Sequence, residues 1–141
     1  MNKIFSSSPI YPNAILAIVR IVSGLLMVYH GWEVFDDEKM KVYFDWEAFN
    51  KFNNPILMIF LGKIAELVAG ILLTLGFLTR IGSLILICLM TYITFFVGEG
   101  RFWYQEQHPF LLILLGIIFL FYGGGKYSLD HLIFKKRPGH I

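Results

Sequence analysis

The hydrophobic positions of this chain fall in four runs, over residues about 14–34, 55–78, 81–97 and 109–125, with polar residues between them. A helix crosses a bilayer with about 20 mostly apolar residues, so the runs read as transmembrane helices. Pro9 and Pro12 stop the first helix from extending backward, and Asn13 is placed to cap it. No small-x-small site follows the first run, which predicts a retained helix rather than a cleaved leader. Residues 31–54 form the one long polar segment, where Asp36, Asp37, Glu38, Asp45 and Glu47 mix with Tyr43, Phe44, Trp46, Phe49 and Phe52. That mixture suits a membrane–water interface. Asp45 is placed to cap a short amphipathic helix presenting Trp46, Phe49 and Phe52.

Asn53, Asn54 and Pro55 punctuate the chain before the second run, and Thr79–Arg80 leaves room only for a tight turn after it. A connection that short makes the second and third helices antiparallel neighbours. Residues 98–108 form a second loop on the side of the long one. Pro109 suits the first position of the fourth helix, and Gly123, Gly124 and Gly125 stop it. The pattern predicts an all-α fold. It is a single domain over 1–141, a left-handed four-transmembrane-helix bundle with a short amphipathic interfacial segment in the first outer loop.

Composition agrees. Of 141 residues, 57% are hydrophobic and 16% charged, too apolar for a soluble domain with about a quarter charged residues. The net charge of +2 comes from scattered lysines and arginines, which points away from nucleic acid. A single cysteine, Cys88, excludes an internal disulfide and a CxxC redox pair. Lys3, Arg80, Lys126, Lys135, Lys136 and Arg137 share one side of a four-span topology. Lys39, Lys41, Lys51 and Arg101 are diluted along longer loops on the other. The positive-inside rule then places both termini in the cytoplasm.

The charges inside the runs change the picture most. A charged residue at a helix centre costs about 2.5–3.5 kcal/mol on insertion scales, and such residues usually face the bundle interior and pair. Lys63 and Glu66 are three apart, so they share one helical face, and Gly62, Glu66 and Gly70 form a stripe for close helix packing. Arg20 shares a face of the first helix with Gly24, Met27 and Gly31. Its reading is either snorkelling or a structural ion pair with Glu66. If the second helix runs antiparallel from Pro55, Arg20 comes within a side chain's reach of that carboxylate. Lys63 is the other partner available to Glu66.

Arg20, His30–Gly31, Glu66, Gly70, Gly76, Thr79–Arg80 and the segment Gly125-Lys126-Tyr127-Ser128-Leu129-Asp130 occur in an order and spacing that resembles the DoxX family of small four-helix membrane proteins. The resemblance covers nearly the whole chain. It implies a multi-pass protein of the bacterial inner (cytoplasmic) membrane. The family includes a subunit of a thiosulfate:quinone oxidoreductase, and other members associate with redox-stress complexes. That implies a membrane subunit or partner of a quinone-linked redox system, in contact with lipid and with other protein subunits or copies of itself.

The residues are compatible with such a site. His30, Lys63, Glu66 and His108 are the candidate ligand-binding groups, with Tyr29, Trp32 and Trp103 as stacking walls for a quinone ring. Histidine titrates near neutrality and a buried glutamate is pushed toward it, which suits proton exchange with a headgroup. No HExxH or clustered cysteine marks a metal site, and no flavin, Fe–S or haem motif is present, so electron transfer needs a partner. The alternative is a non-enzymatic accessory or scaffold subunit of a larger membrane complex, in which the same polar cluster only fixes helix register.

Overall fold

The computed structural model describes residues 10–134, and Lys3, Lys135, Lys136 and Arg137, used above for orientation, lie outside them. The described residues are all-helical. They form α1 (Pro12–Trp32), α2 (Asp37–Phe44), α3 (Pro55–Leu75), α4 (Thr79–Tyr92), α5 (Gln107–Tyr122) and α6 (Leu129–Phe134). Three helical stretches are long and apolar enough to cross a membrane, over Pro12–Phe35, Pro55–Leu75 and Thr79–Val97. The fourth apolar helix, α5, is shorter. Its 16 residues rise about 24 Å, against a hydrocarbon core of about 30 Å. It stops after Tyr122, where Gly123 turns the backbone to φ 78°, at the start of the three glycines expected to end it.

Helix α1 packs on α3, α3 on α4, α4 on α5, and α5 touches α1, so the four close into a bundle. Leu16, Met27, Ala69, Leu73, Leu86, Met90, Leu112, Ile113 and Phe119 fill its centre. Outside, Ile15, Ile18, Val22, Leu25, Ile64, Leu84, Ile117 and Ile118 are all exposed, a surface suited to lipid.

The α1–α3 crossing is the closest. A Cβ added to Gly24 would stand 2.6 Å from the Thr74 amide nitrogen, and one on Gly70 would stand 2.5 Å from that of Val28. Without those side chains the two backbones meet directly, as small residues permit in membranes. Gly62 differs from the expected stripe. A Cβ there would meet only Leu89 Cδ1, at 4.0 Å, so Gly62 leaves open space instead of closing a helix contact.

Arg20 is fully buried and does not pair with Glu66. Its guanidinium donates to the carbonyls of Leu73 and Thr74 at the end of α3, and to that of Tyr127 at 2.7 Å. The expected Arg20–Glu66 ion pair fails because of register: α1 places Arg20 opposite Leu73, seven residues or about 10.5 Å along α3 from Glu66. The last carbonyls of a helix lack intrahelical partners and carry its negative dipole end, so a cation satisfies them well.

The same end holds the tight turn, which spans Gly76 to Leu78, while Thr79 and Arg80 already belong to α4. Gly76 takes φ 64°, and a Cβ on it would stand 2.6 Å from both the Arg20 Nη1 and Ser128 Cβ. The Asp130 carboxylate accepts from the amides of Leu78 at 2.7 Å and Thr79 at 2.9 Å, capping α4 from a distant segment. At α1, the expected cap is also displaced. Pro12 opens the helix, Tyr11 precedes it in a left-handed conformation, and Asn13 lies inside. In the long loop, Asp36 rather than Asp45 caps the helix, accepting from the amides of Glu38 and Lys39. Trp46, Phe49 and Phe52 follow that helix in a single tight 3-10 turn and its flanks. Pro109 falls two residues into α5, still in the first turn where amides have no intrahelical acceptor.

Candidate functional site

Helix α3 carries Met58, Ile59, Gly62, Lys63 and Glu66 along one wall of a cleft of about 100 Å³. The opposite wall is the end of α4, with Leu89, Tyr92, Ile93 and Val97, and Tyr43, Trp46 and Phe49 roof it. After Tyr92 the α4 helix widens over Ile93–Val97, where the Gly98 amide reaches back five residues to the Ile93 carbonyl at 2.8 Å. Such wide turns frequently occur at functional sites because they re-aim side chains. Here the widening sets Ile93 and Val97 on the cleft.

A chain of alternating charges starts at this cleft with Glu66 and Lys63 and leads away from it through Glu33 to Lys39. Lys39 stands 3.5 Å from Glu33, Glu33 2.9 Å from Lys63, and Lys63 3.2 Å from Glu66. Two cations and two anions balance. Only Lys39, at 46% side-chain exposure, is open to the surroundings, while Lys63 and Glu66 are buried. Lys63 is the hub. Its ammonium donates to Glu33 Oε2 at 2.9 Å, Tyr43 Oη at 3.1 Å and the His30 carbonyl at 3.3 Å. It also sits 4.3 Å from the centre of the Tyr43 ring. The Tyr43 hydroxyl in turn donates to Glu33 Oε2 at 2.7 Å. Burial, and then that bond to a carboxylate, push the Tyr43 hydroxyl above the ordinary phenol value.

Two cleft-lining residues keep a buried polar atom without a protein hydrogen bond: Glu66 at Oε2 and Tyr92 at Oη. The Glu66 oxygen has the Lys63 ammonium as an ion-pair partner at 3.2 Å, while that ammonium also donates to Glu33, Tyr43 and the His30 carbonyl. A buried polar group left unpaired costs about 1–3 kcal/mol, and Tyr92 Oη has neither a hydrogen bond nor a charge partner in the protein.

Of the four candidate ligand-binding residues, Lys63 and Glu66 line the cleft. His30 and His108 do not. Their rings pack edge-on with centroids 6.0 Å apart, beside the charged chain, and Tyr29 packs edge-on against His30. The His30 backbone still joins the network through Lys63. Among the described residues no three His, Cys, Asp or Glu side chains gather as metal ligands. Glu33, Tyr43 and Tyr92 escaped the sequence-based set of candidates. Glu33 falls at the end of the first apolar run and Tyr43 in a loop rich in aromatics, so neither carries a local signal.

A helical membrane protein with a charged, aromatic-roofed cleft between two of its spans is the class that fold and site define. The chain belongs to the DoxX family, whose model matches residues 15–99, more than half of it. It is 30% identical to an "Uncharacterized protein" of Haemophilus influenzae over 96% of this chain and 100% of that one. It is 26% identical to the "Putative oxidoreductase CatD" of Bacillus subtilis, over 100% of this chain and 98% of that one. No solved structure matches the chain. Family membership and the three membrane-length helices support a location in the inner membrane.

Proposed function

We propose that this chain is a membrane subunit or partner of a quinone-linked redox system, and that the quinone ring occupies the cleft between Lys63, Glu66 and Tyr92. The observation carrying this reading is the unpartnered Tyr92 Oη beside Glu66 Oε2, whose one partner is the Lys63 ammonium, on one small aromatic-roofed cleft. A cavity on the order of 150 Å³ accommodates a benzene ring, whereas drug-sized sites run to roughly 300–1,000 Å³. At about 100 Å³ the cleft is smaller than either, so a ring enters it only in part, with the rest of the ring and any isoprenoid tail left to lipid. When bound, the ring supplies two-electron, two-proton chemistry. The chain's own part is to seat it under Trp46 and Phe49 and to offer hydrogen bonds from residues held in place by Lys63 and Glu33. The similarity to a relative described as an oxidoreductase supports the redox setting.

In the same reading α5 is a fourth span, completed by local thinning of the bilayer, which a short apolar stretch induces at modest cost. Arg80 and Lys126 then lie on the cytoplasmic side with the basic residues at both ends of the sequence.

Purification in a mild detergent, followed by solvent extraction and chromatography, tests the ligand. Co-purifying quinone that is lost in Gly62→Leu, a substitution filling the cleft from its open wall, is the expected result. Absence of quinone together with stoichiometric co-purification of other subunits would replace this reading with the scaffold one.

A further inference from the structure

Selectivity between redox forms follows from which donors and acceptors in the cleft are already committed. Lys63 is the obvious donor to a quinone carbonyl, yet its N–H groups are taken by Glu33, Tyr43 and the His30 carbonyl. The Tyr43 hydroxyl is taken as well, since it donates to Glu33. What remains is the Tyr92 hydroxyl, which donates or accepts, and Glu66 Oε2. Paired with the Lys63 ammonium at 3.2 Å, Glu66 stands as a carboxylate, whose Oε2 keeps a further lone pair and accepts only.

We propose that the cleft prefers the reduced, hydroxyl-bearing ring over the oxidised one, because the acceptor-only Glu66 oxygen receives a hydrogen bond from a ligand O–H and repels a carbonyl oxygen. The inference rests on the quinone-ring reading above. A hydroquinone satisfies Glu66 with one O–H and meets the Tyr92 hydroxyl with its other oxygen or the same one. A quinone satisfies only Tyr92 and leaves two acceptor oxygens facing each other. Hydrogen bonds to charged groups are the stronger kind, and losing one typically lowers affinity by about tenfold or more. No bond is made or broken in this step, so it needs no electron partner. It sets which form is retained, and a subunit that retains the reduced form is suited to hold it for an oxidising partner protein.

The test uses the full chain in detergent under anaerobic conditions, with equilibrium dialysis corrected for partition into empty micelles. The probes are duroquinol, duroquinone and the dimethyl ether of duroquinol. Their ring positions are fully substituted, so the exposed Cys88 thiol does not add to the ring. Duroquinol is expected to bind at least tenfold more tightly than duroquinone, and the dimethyl ether no better than duroquinone. Glu66→Gln, whose amide donates as well as accepts, should remove the preference by raising duroquinone affinity. Equal affinities for the two redox forms, or a tighter oxidised form, would overturn the selectivity while leaving a ring site in place. If none of the three probes binds, the ring site itself falls, and the selectivity with it. Because the ether comparison is made on the unaltered protein, the test stands even if Glu66→Gln fails to fold.

Discussion

Lys63 and Glu33, thirty residues apart in sequence, meet at 2.9 Å and fasten the first half of α3 to the end of the first span. This pair is the joint on which the cleft depends, since Lys63 also holds Tyr43 in the roof and neutralises Glu66 in the wall. Breaking a buried pair by removing one partner costs about 3–5 kcal/mol in soluble proteins, and membrane hydrogen bonds average nearer 0.6 kcal/mol. Lys63→Met strands the Glu66 carboxylate and leaves Glu33 with only Lys39 and Tyr43, whereas Glu66→Gln strands none. In detergent, Lys63→Met should lower Tm more than Glu66→Gln, and combining the two should recover part of the loss. Additive losses across the double-mutant cycle would show that the residues are not coupled.

Arg20 makes a different demand. Three carbonyls accept from its planar fork, a geometry that a lysine ammonium does not reproduce. Arg20→Lys should therefore reduce stability in detergent although the charge is kept. Asp130→Ala should cost about 0.5–2 kcal/mol, the usual range for a lost helix cap. Unchanged melting in both variants would count against the clamp.

Glycine substitutions distinguish the two sides of α3. Gly70→Ala places a methyl 2.5 Å from the Val28 nitrogen and should cost about 1–3 kcal/mol by forcing α1 away. Gly62→Ala meets nothing closer than 4.0 Å and gains up to about 1 kcal/mol of helix propensity. Thermal melts of the two variants should move in opposite directions. A common direction would place Gly62 in a packed contact.

Tyr43 gives a pH dependence. Its hydroxyl is held above the ordinary value of 10.0, so the folded state favours the protonated phenol. The stability it contributes is complete below pH 10.0 and is lost as pH rises through the raised value. The Tm difference between the unaltered protein and Tyr43→Phe should hold steady to that point and shrink above it. A difference that grows with alkalinity would mean the phenolate is the favoured form.

Membrane topology is open to direct labelling. In a Cys88→Ser background, Asp45→Cys and Tyr104→Cys should react with an impermeant maleimide in intact cells, and Lys136→Cys only after permeabilisation. The reverse pattern would invert the orientation, and labelling of all three from outside would remove the fourth span.

Periodicity and hydropathy were enough to read the helices, the hairpin of α3 and α4, and the burial of Lys63 and Glu66. Those features depend on which residues are apolar and on spacing along one helix, both of which are local. The partner of Arg20 was not legible, because backbone carbonyls have no residue identity and the register of α1 on α3 is set by where Gly24 and Gly70 let the backbones touch. Glu33 was hidden for a related reason. Its place beside Lys63 follows from the antiparallel return of the chain through a loop of about twenty residues. The end of the fourth helix was legible as well, because Gly123, Gly124 and Gly125 mark it in the sequence and Gly123 ends α5 by its backbone angle.

The clamp around Arg20 also orders the protein's assembly. Its guanidinium lies in α1, and one of its acceptors, the Tyr127 carbonyl, is 107 residues downstream. Until that segment emerges, the nascent first helix holds a cation whose full set of acceptors does not yet exist. Leaving the insertion machinery early would expose that cation to hydrocarbon, so the first helix is best retained beside the translocation channel until the last has been made.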